Sequence, residues 1–342
     1  ITVNGSCNLI LSVSVTNTYS GDTYVNAGML VLNKPIYNVT VPGNLYIGDG
    51  VGGADADVVR LLTPSQIPSI SRITIAGSGL FDMNNLTEYF GSLAGSGHVD
   101  MGSGTLGCGE DGTSTTFSGQ IEGSGELRKY GARTFTLSGN NTYSGTTRVY
   151  GGTLLVNGSQ PGSSVVVSAS GTLGGIGTVG AISSSGSVAP GASAGQLGSG
   201  STSLQSGSSF DVELDGDSPL DYDQLDVGGS VSLGNSDLNI SWGFVPTMGD
   251  EFTIIDNDGS DAVTGIYNGL AEGASLVAGN VTLKITYAGG TGNDVVLGVT
   301  DVEPTEDLRV TSIETAGGNV VLQWTGGVPL YVVERKTALT NA

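Results

Sequence analysis

The sequence predicts an all-β fold: a β-solenoid (β-helix) with a β-rich C-terminal cap and a partial immunoglobulin-like segment. Three observations predict it. Glycine supplies 58 of 342 residues, so Gly and Ser interrupt every stretch in which a helical period could build. Short alternating runs closed by Gly, Asn or Ser-Gly recur instead, among them Leu9 to Val15, Ile73 to Ile75, Thr134 to Leu137, Thr153 to Val156 and Val165 to Val167. Finally, a segment repeats. Asn17 to Lys34 (NTYSGDTYVNAGMLVLNK) returns 124 residues later as Asn141 to Gly158 (NTYSGTTRVYGGTLLVNG), with ten of eighteen positions identical.

Residues 1–205 form the β-helix repeat domain. Within it Phe135, Leu154 and Leu173 follow one another at intervals of 19 residues, too short for a propeller blade and suited to one rung of a solenoid. Rungs stack at about 4.8 Å, so ten of them make a rod of about 50 Å. Val, Ile and Leu are expected in inward columns, glycines at corners, and Asn140 and Asn157 at corners where their amides bond neighbouring rungs. In residues 206–300 the runs Phe210 to Leu214, Gln224 to Val227, Val231 to Leu233, Asp237 to Ile240 and Glu251 to Ile255 alternate more strictly and carry more acid. They read as wider terminal rungs or a β-sandwich-like cap. Residues 301–307 (DVEPTED) read as an acidic linker. Residues 308–342 offer about three strands, Val320 to Trp324 and Leu330 to Glu334 among them, where an immunoglobulin-like sandwich needs about seven.

Several of these motifs, Gly123 to Leu127 (GSGEL), Thr136 to Thr147 (TLSGNNTYSGTT), Gly152 to Val156 (GTLLV), Gly174 to Val179 (GGIGTV), Val188 to Ser193 (VAPGAS) and Tyr287 to Leu297 (YAGGTGNDVVL), resemble the autotransporter-associated β-strand repeat. That repeat occurs in large secreted bacterial surface proteins, many from Verrucomicrobia and Planctomycetes. The resemblance covers roughly residues 17–300 and implies a right-handed parallel β-helix exported to the cell surface. No outer-membrane barrel is legible, and the tail resembles the start of a β-sandwich domain appended to such proteins.

Charge narrows the partners. Eleven Lys+Arg against 32 Asp+Glu give a net charge of −21, which opposes binding to nucleic acid and to anionic membranes. No apolar run approaches the length of a spanning helix. Ile1 is neither an initiator methionine nor the start of a signal sequence, so a removed secretion signal or a fragment is expected. Cys7 and Cys108 are too few for a disulfide scaffold or a zinc cage, and their spacing leaves their pairing open.

No catalytic residues are assigned and no cofactor is expected apart from calcium. The single histidine, His98, sits in Gly-rich surroundings that favour an exposed turn over a triad. Asp215, Asp217, Asp221 and Asp223 gather hard oxygen ligands in one stretch and are the calcium candidates; solvated turns explain the same residues. Asn4, Asn38, Asn85, Asn239 and Asn280 each open an Asn-x-Ser/Thr triplet and are the glycosylation candidates.

The expected function is that of a secreted, extracellular structural protein of the cell surface, not an enzyme. Its expected partner is itself, in a filament assembled head-to-tail by strand complementation at exposed rung edges. The first alternative is an adhesin or carbohydrate-binding β-helix that contacts surface glycans. It requires a row of exposed aromatics, for which Tyr19, Tyr24, Tyr143 and Tyr150 are the candidates. The second is a polysaccharide lyase or glycosidase, which requires a carboxylate pair in a groove.

Overall fold

Successive coils of this chain cross three faces in turn. Phe135, Leu154 and Leu173, one coil apart in sequence, lie directly above one another on the first face. The computed structural model describes residues 1–303, 309–316 and 319–325, and every regular element in them is a strand. The first face is a parallel ladder that starts at Thr2–Leu11 and the front of Thr23–Leu32. It continues through Leu45–Ile47, Arg72–Ile75, Ser92–Gly95, Thr115–Phe117, Thr134–Leu137, Gly152–Val156, Gly171–Gly175, Ser187–Pro190 and Ser209–Leu214 to Asp237–Trp242. The second face holds the rear of Thr23–Leu32 and Asp57–Leu61 through Gln120–Glu122, then resumes at Ser159–Gln160. The third runs from Glu88–Tyr89 to Val231–Ser232. This is a parallel β-helix.

Alternation decides what enters the core. On the first face Phe135, Leu154, Leu173, Val188 and Phe210 form one inward column, each almost fully buried. On the third face Leu106, Leu127, Thr147, Val165, Ile182, Thr202 and Val231 form another. Burial of each large aliphatic side chain contributes about 1.5–3 kcal/mol. The 19-residue period is local, because the next coils, Leu173 to Val188 and Val188 to Phe210, are shorter and then longer.

The two copies of the repeat share their local structure but not their face. In both, a tyrosine hydroxyl meets the threonine four residues on, Tyr19 with Thr23 at 2.7 Å and Tyr143 with Thr147 at 2.6 Å. In both, a glycine with positive φ, Gly28 or Gly152, turns the corner into the apolar strand. The first copy wraps from face one to face two, the second from face three to face one.

Parallel stacking ends at Glu251–Asn257, which pairs in parallel with Gln224–Val227 and antiparallel with Asp294–Val302. Asp294–Val302 then pairs with Val281–Gly289, and that strand with Ser275–Ala278. This antiparallel sheet closes the end of the rod, where the Trp242 indole donates to the Ala278 carbonyl at 3.0 Å. Asp301 and Val302 belong to the closing sheet, opposite Thr282 and Val281, rather than to the linker expected over 301–307; residues 304–307 lie outside the described residues. Of the immunoglobulin-like segment, Arg309–Ala316 and Asn319–Thr325 form an antiparallel hairpin. The strand expected over Leu330 to Glu334 lies outside the described residues.

Cys7 is exposed and Cys108 buried, and both are free thiols. Burial pushes the Cys108 thiol up to about 12.

Candidate functional surfaces

The two ends of the solenoid differ. Among the described residues Thr2–Leu11 pairs with Thr23–Leu32 on one side only, and its residues are almost all exposed. Ile10, Val13 and Val15 add apolar surface beside that edge. The strand expected from Leu9 to Val15 stops at Leu11, where the pairing with Leu32 ends. An edge of this kind offers unpaired N–H and C=O groups to another strand. At the opposite end Asp237–Trp242 pairs only with Ser209–Leu214 among the described residues, and Trp242, Phe244 and Phe252 pack together there beside the antiparallel sheet.

The four aspartates of the calcium candidate do not converge. Asp215, Asp217 and Asp221 are exposed, whereas Asp223 is buried. Both Asp223 oxygens are taken by backbone amides, Oδ1 by Gly195 at 3.1 Å and Oδ2 by Glu213 at 2.9 Å. Desolvation, and then the neighbouring Glu213 and Asp215 charges, push its carboxyl up to about 7. Among the described residues no three Asp, Glu, His or Cys side chains are grouped so as to hold a metal ion.

His98 lies in the strand His98–Asp100 and is half-buried, not in the exposed turn expected from its glycines. Its ring sits between two carboxylates, Nδ1 3.2 Å from Asp55 and Nε2 3.4 Å from Glu122. Among the described residues no serine hydroxyl is hydrogen-bonded to the ring.

The aromatic candidates divide. Tyr143 is fully buried and Tyr19 half-buried, so both pack the rungs. Tyr24 stacks on Tyr46 and Tyr150 on Tyr130, with ring centroids 4.8 and 4.9 Å apart, and Tyr130 leads on to Tyr89 at 6.1 Å. Rings stacked at the rung spacing turn their faces to each other, which leaves mostly edges for a ligand. The missing side chain of Gly107 makes room for Tyr89, whose ring would lie 2.3 Å from a Cβ there. Arg128 donates to the Tyr89 hydroxyl at 2.9 Å and pairs with Glu126.

The asparagine candidates are mostly engaged. Asn239 Nδ2 donates to Asp211 at 2.7 Å, Asn280 Nδ2 to the Glu303 carbonyl, and Asn85 Oδ1 accepts the Ser103 amide. Asn4 Oδ1 accepts from Asn26, and Asn38 is half-buried. At the corners Asn157 accepts the Ile176 amide of the next rung. At the start of the same copy Asn141, rather than Asn140, accepts the Ile121 amide.

Sequence reasoning missed Glu88, which is buried with its carboxylate on the Gln66 and Ile67 amides. It also missed Lys129, which is buried with Nζ on the carbonyls of Tyr130, Gly131 and Gly151. Burial raises the first to about 7 and lowers the second. Lys129 alternates in step with inward Leu127 in Glu126–Lys129, the signal that marks it; the two-residue strand Glu88–Tyr89 carries no such alternation.

Comparison with known proteins places this geometry. Residues 1–32 and 127–156 match the passenger-associated-transport-repeat, and they contain almost all of the two repeat copies. The chain is 39% identical over 97 residues to an adhesin BmaC autotransporter of Brucella suis, covering 26% of this chain and 3% of that protein. It is 37% identical over 217 residues to an extracellular serine protease of Serratia marcescens, covering 60% of this chain and 20% of the protease. A second extracellular serine protease of Serratia marcescens is 34% identical over 212 residues, covering 56% and 18%. The chain thus spans a fifth or less of these relatives. It carries autotransporter passenger-type repeats wound into a parallel β-helix.

Proposed function

We propose that this chain is a rigid section of a secreted, surface-displayed passenger and that its work is mechanical, holding reach and orientation outside the cell. The observation that carries this reading is the unbroken parallel ladder of the first face from Thr2–Leu11 to Asp237–Trp242. The likeness to a Brucella adhesin autotransporter and to Serratia extracellular proteases supports an extracellular, surface location. In this reading copies join head-to-tail into a filament by strand addition at rung edges. At the far end of the first face the strand available for such a contact is Asp237–Trp242, paired only with Ser209–Leu214 among the described residues.

Electron microscopy of the purified chain tests this. Twelve stacked strands predict rods of about 50 Å, single or joined end to end through the exposed edge. Compact particles without an axis would refute the shaft. The hydrogen-bond partner of the His98 ring among the described residues is the Asp55 carboxylate and no hydroxyl or thiol, so His98 adds nothing to the enzyme reading.

A further inference from the structure

We propose that a groove on the outer surface of the first face binds a linear glycan bearing free amino groups. The groove encloses about 380 Å³ and runs along the rod, crossing five consecutive strands from Gly152–Val156 to Asp237–Trp242. Its depth has a cause in the sequence. In the outward column that begins Thr116, Thr136 and Leu155, the next two residues are Gly174 and Ala189, so the sheet surface dips there. The coils that follow are longer, and the segment after Pro190 rises as a wall. Buried Asp223 holds that wall to the floor by accepting the amides of Gly195 and Glu213. The cleft is therefore fixed before any ligand arrives, which lowers the entropy lost on binding.

The lining selects the ligand. Leu155, Ala189 and Pro190 give an apolar floor, and Thr153 and Thr172 place hydroxyls along one side. Asp211 and Glu213 supply the charge, and no lining residue is basic. Asp211 is engaged by Ser187 and Asn239, whereas the Glu213 carboxylate has no hydrogen-bond partner among the described residues. In a chain of net charge −21, such a cleft repels polyanions and attracts amines. The rungs repeat every ~4.8 Å, close to the length of one pyranose unit in an extended chain. A peptide strand advances ~3.3 Å per residue and needs a free sheet edge; the groove strands from Gly152–Val156 to Ser209–Leu214 are paired on both sides.

Calorimetry on the full chain tests this with four probes: a β-1,4-linked glucosamine tetramer, its fully N-acetylated form, a galacturonate tetramer and tetralysine. The glucosamine tetramer is expected to bind at least tenfold more tightly than each of the others. Ala189→Phe, which fills the floor, and Glu213→Gln are each expected to weaken it at least tenfold. Thr116→Phe, in the same outward column but outside the groove, leaves it unchanged. Three outcomes overturn the proposal: no binding of the glucosamine tetramer, equal binding of any other probe, or binding undiminished in Glu213→Gln. The last decides the matter if Ala189→Phe does not fold. None of these outcomes bears on rod formation, so the shaft stands or falls separately.

Discussion

Tyr143 and Tyr19 occupy the same place in two copies of one repeat, yet their hydroxyls do different amounts of work. Tyr143 is fully buried, and its partner Thr147 also bonds Ser163, so the hydroxyls form a dry network. Tyr143→Phe is expected to cost about 1–2 kcal/mol, because Thr147 is left short of a partner away from water. Tyr19→Phe, half-exposed, is expected to cost less than about 0.5 kcal/mol. Urea unfolding of the two variants checks the contrast; equal losses would show that the network contributes nothing beyond packing. A second residue-scale prediction concerns Glu88. Burial raises its carboxyl from 4.5 to about 7, with amide bonds only partly opposing the shift. The folded state therefore holds the proton more tightly than the unfolded chain. Its stability is highest below pH ~4.5, falls as pH rises towards 7, and then levels off, a loss on the order of 3 kcal/mol. Asp223 acts in the same direction. Glu88→Gln should flatten the melting temperature between pH 5 and pH 8, and an unchanged slope would assign the pH dependence to other groups. Neither acid was legible as buried, since each stands in a polar stretch whose inward parity only the stacking fixes.

At the scale of the element, corners set the composition. Gly97, Gly119, Gly139, Gly158 and Gly177 lie in one column, and a Cβ on each of the last four would fall 1.8–2.0 Å from the carbonyl oxygen of the glycine before it. The backbones of adjacent coils touch there, so glycine is required by space and not by φ. Gly139→Ala should destabilise by several kcal/mol or prevent folding. Gly50→Ala meets no atom within 4 Å and strains only its positive φ, which costs about 1 kcal/mol. Thermal unfolding separates them, and a mild Gly139→Ala would mean that coils can spread at corners. The repeat made these corners legible, as it did the column of Phe135, Leu154 and Leu173, because side chains one full coil apart must coincide. Which face each copy would occupy was not legible. The same residues wrap faces one and two in one copy and faces three and one in the other, since coil lengths elsewhere in the chain decide the phase. The groove stayed hidden for a related reason. Its lining comes from coils of unequal length, so no period connects Leu155 with Asp211.

The whole molecule behaves as a stack in which each coil touches only its neighbours, so a complete coil can be removed without disturbing the rest. Residues 165–181 form such a unit. Val165, Val166 and Val167 lie directly beneath Ile182, Ser183 and Ser184, so joining Ser164 to Ile182 seats Ile182 above Thr147 where Val165 had been. On the first face Leu154 then meets Val188, with Leu173 gone from between them. The cluster of Tyr143, Thr147, Gln160 and Ser163 is retained. Such a deletion is expected to fold into a rod shorter by about 4.8 Å and to unfold cooperatively with a slightly lower midpoint. Removing residues 165–173 instead takes out about half a coil and rotates everything beyond it to the wrong face. Inward and outward residues then exchange along the whole distal half, and that variant should not fold. Small-angle scattering gives the length and circular dichroism the cooperativity. If the half-coil deletion folds as well as the full one, the columns do not dictate register, and the stability of the rod must reside within single coils.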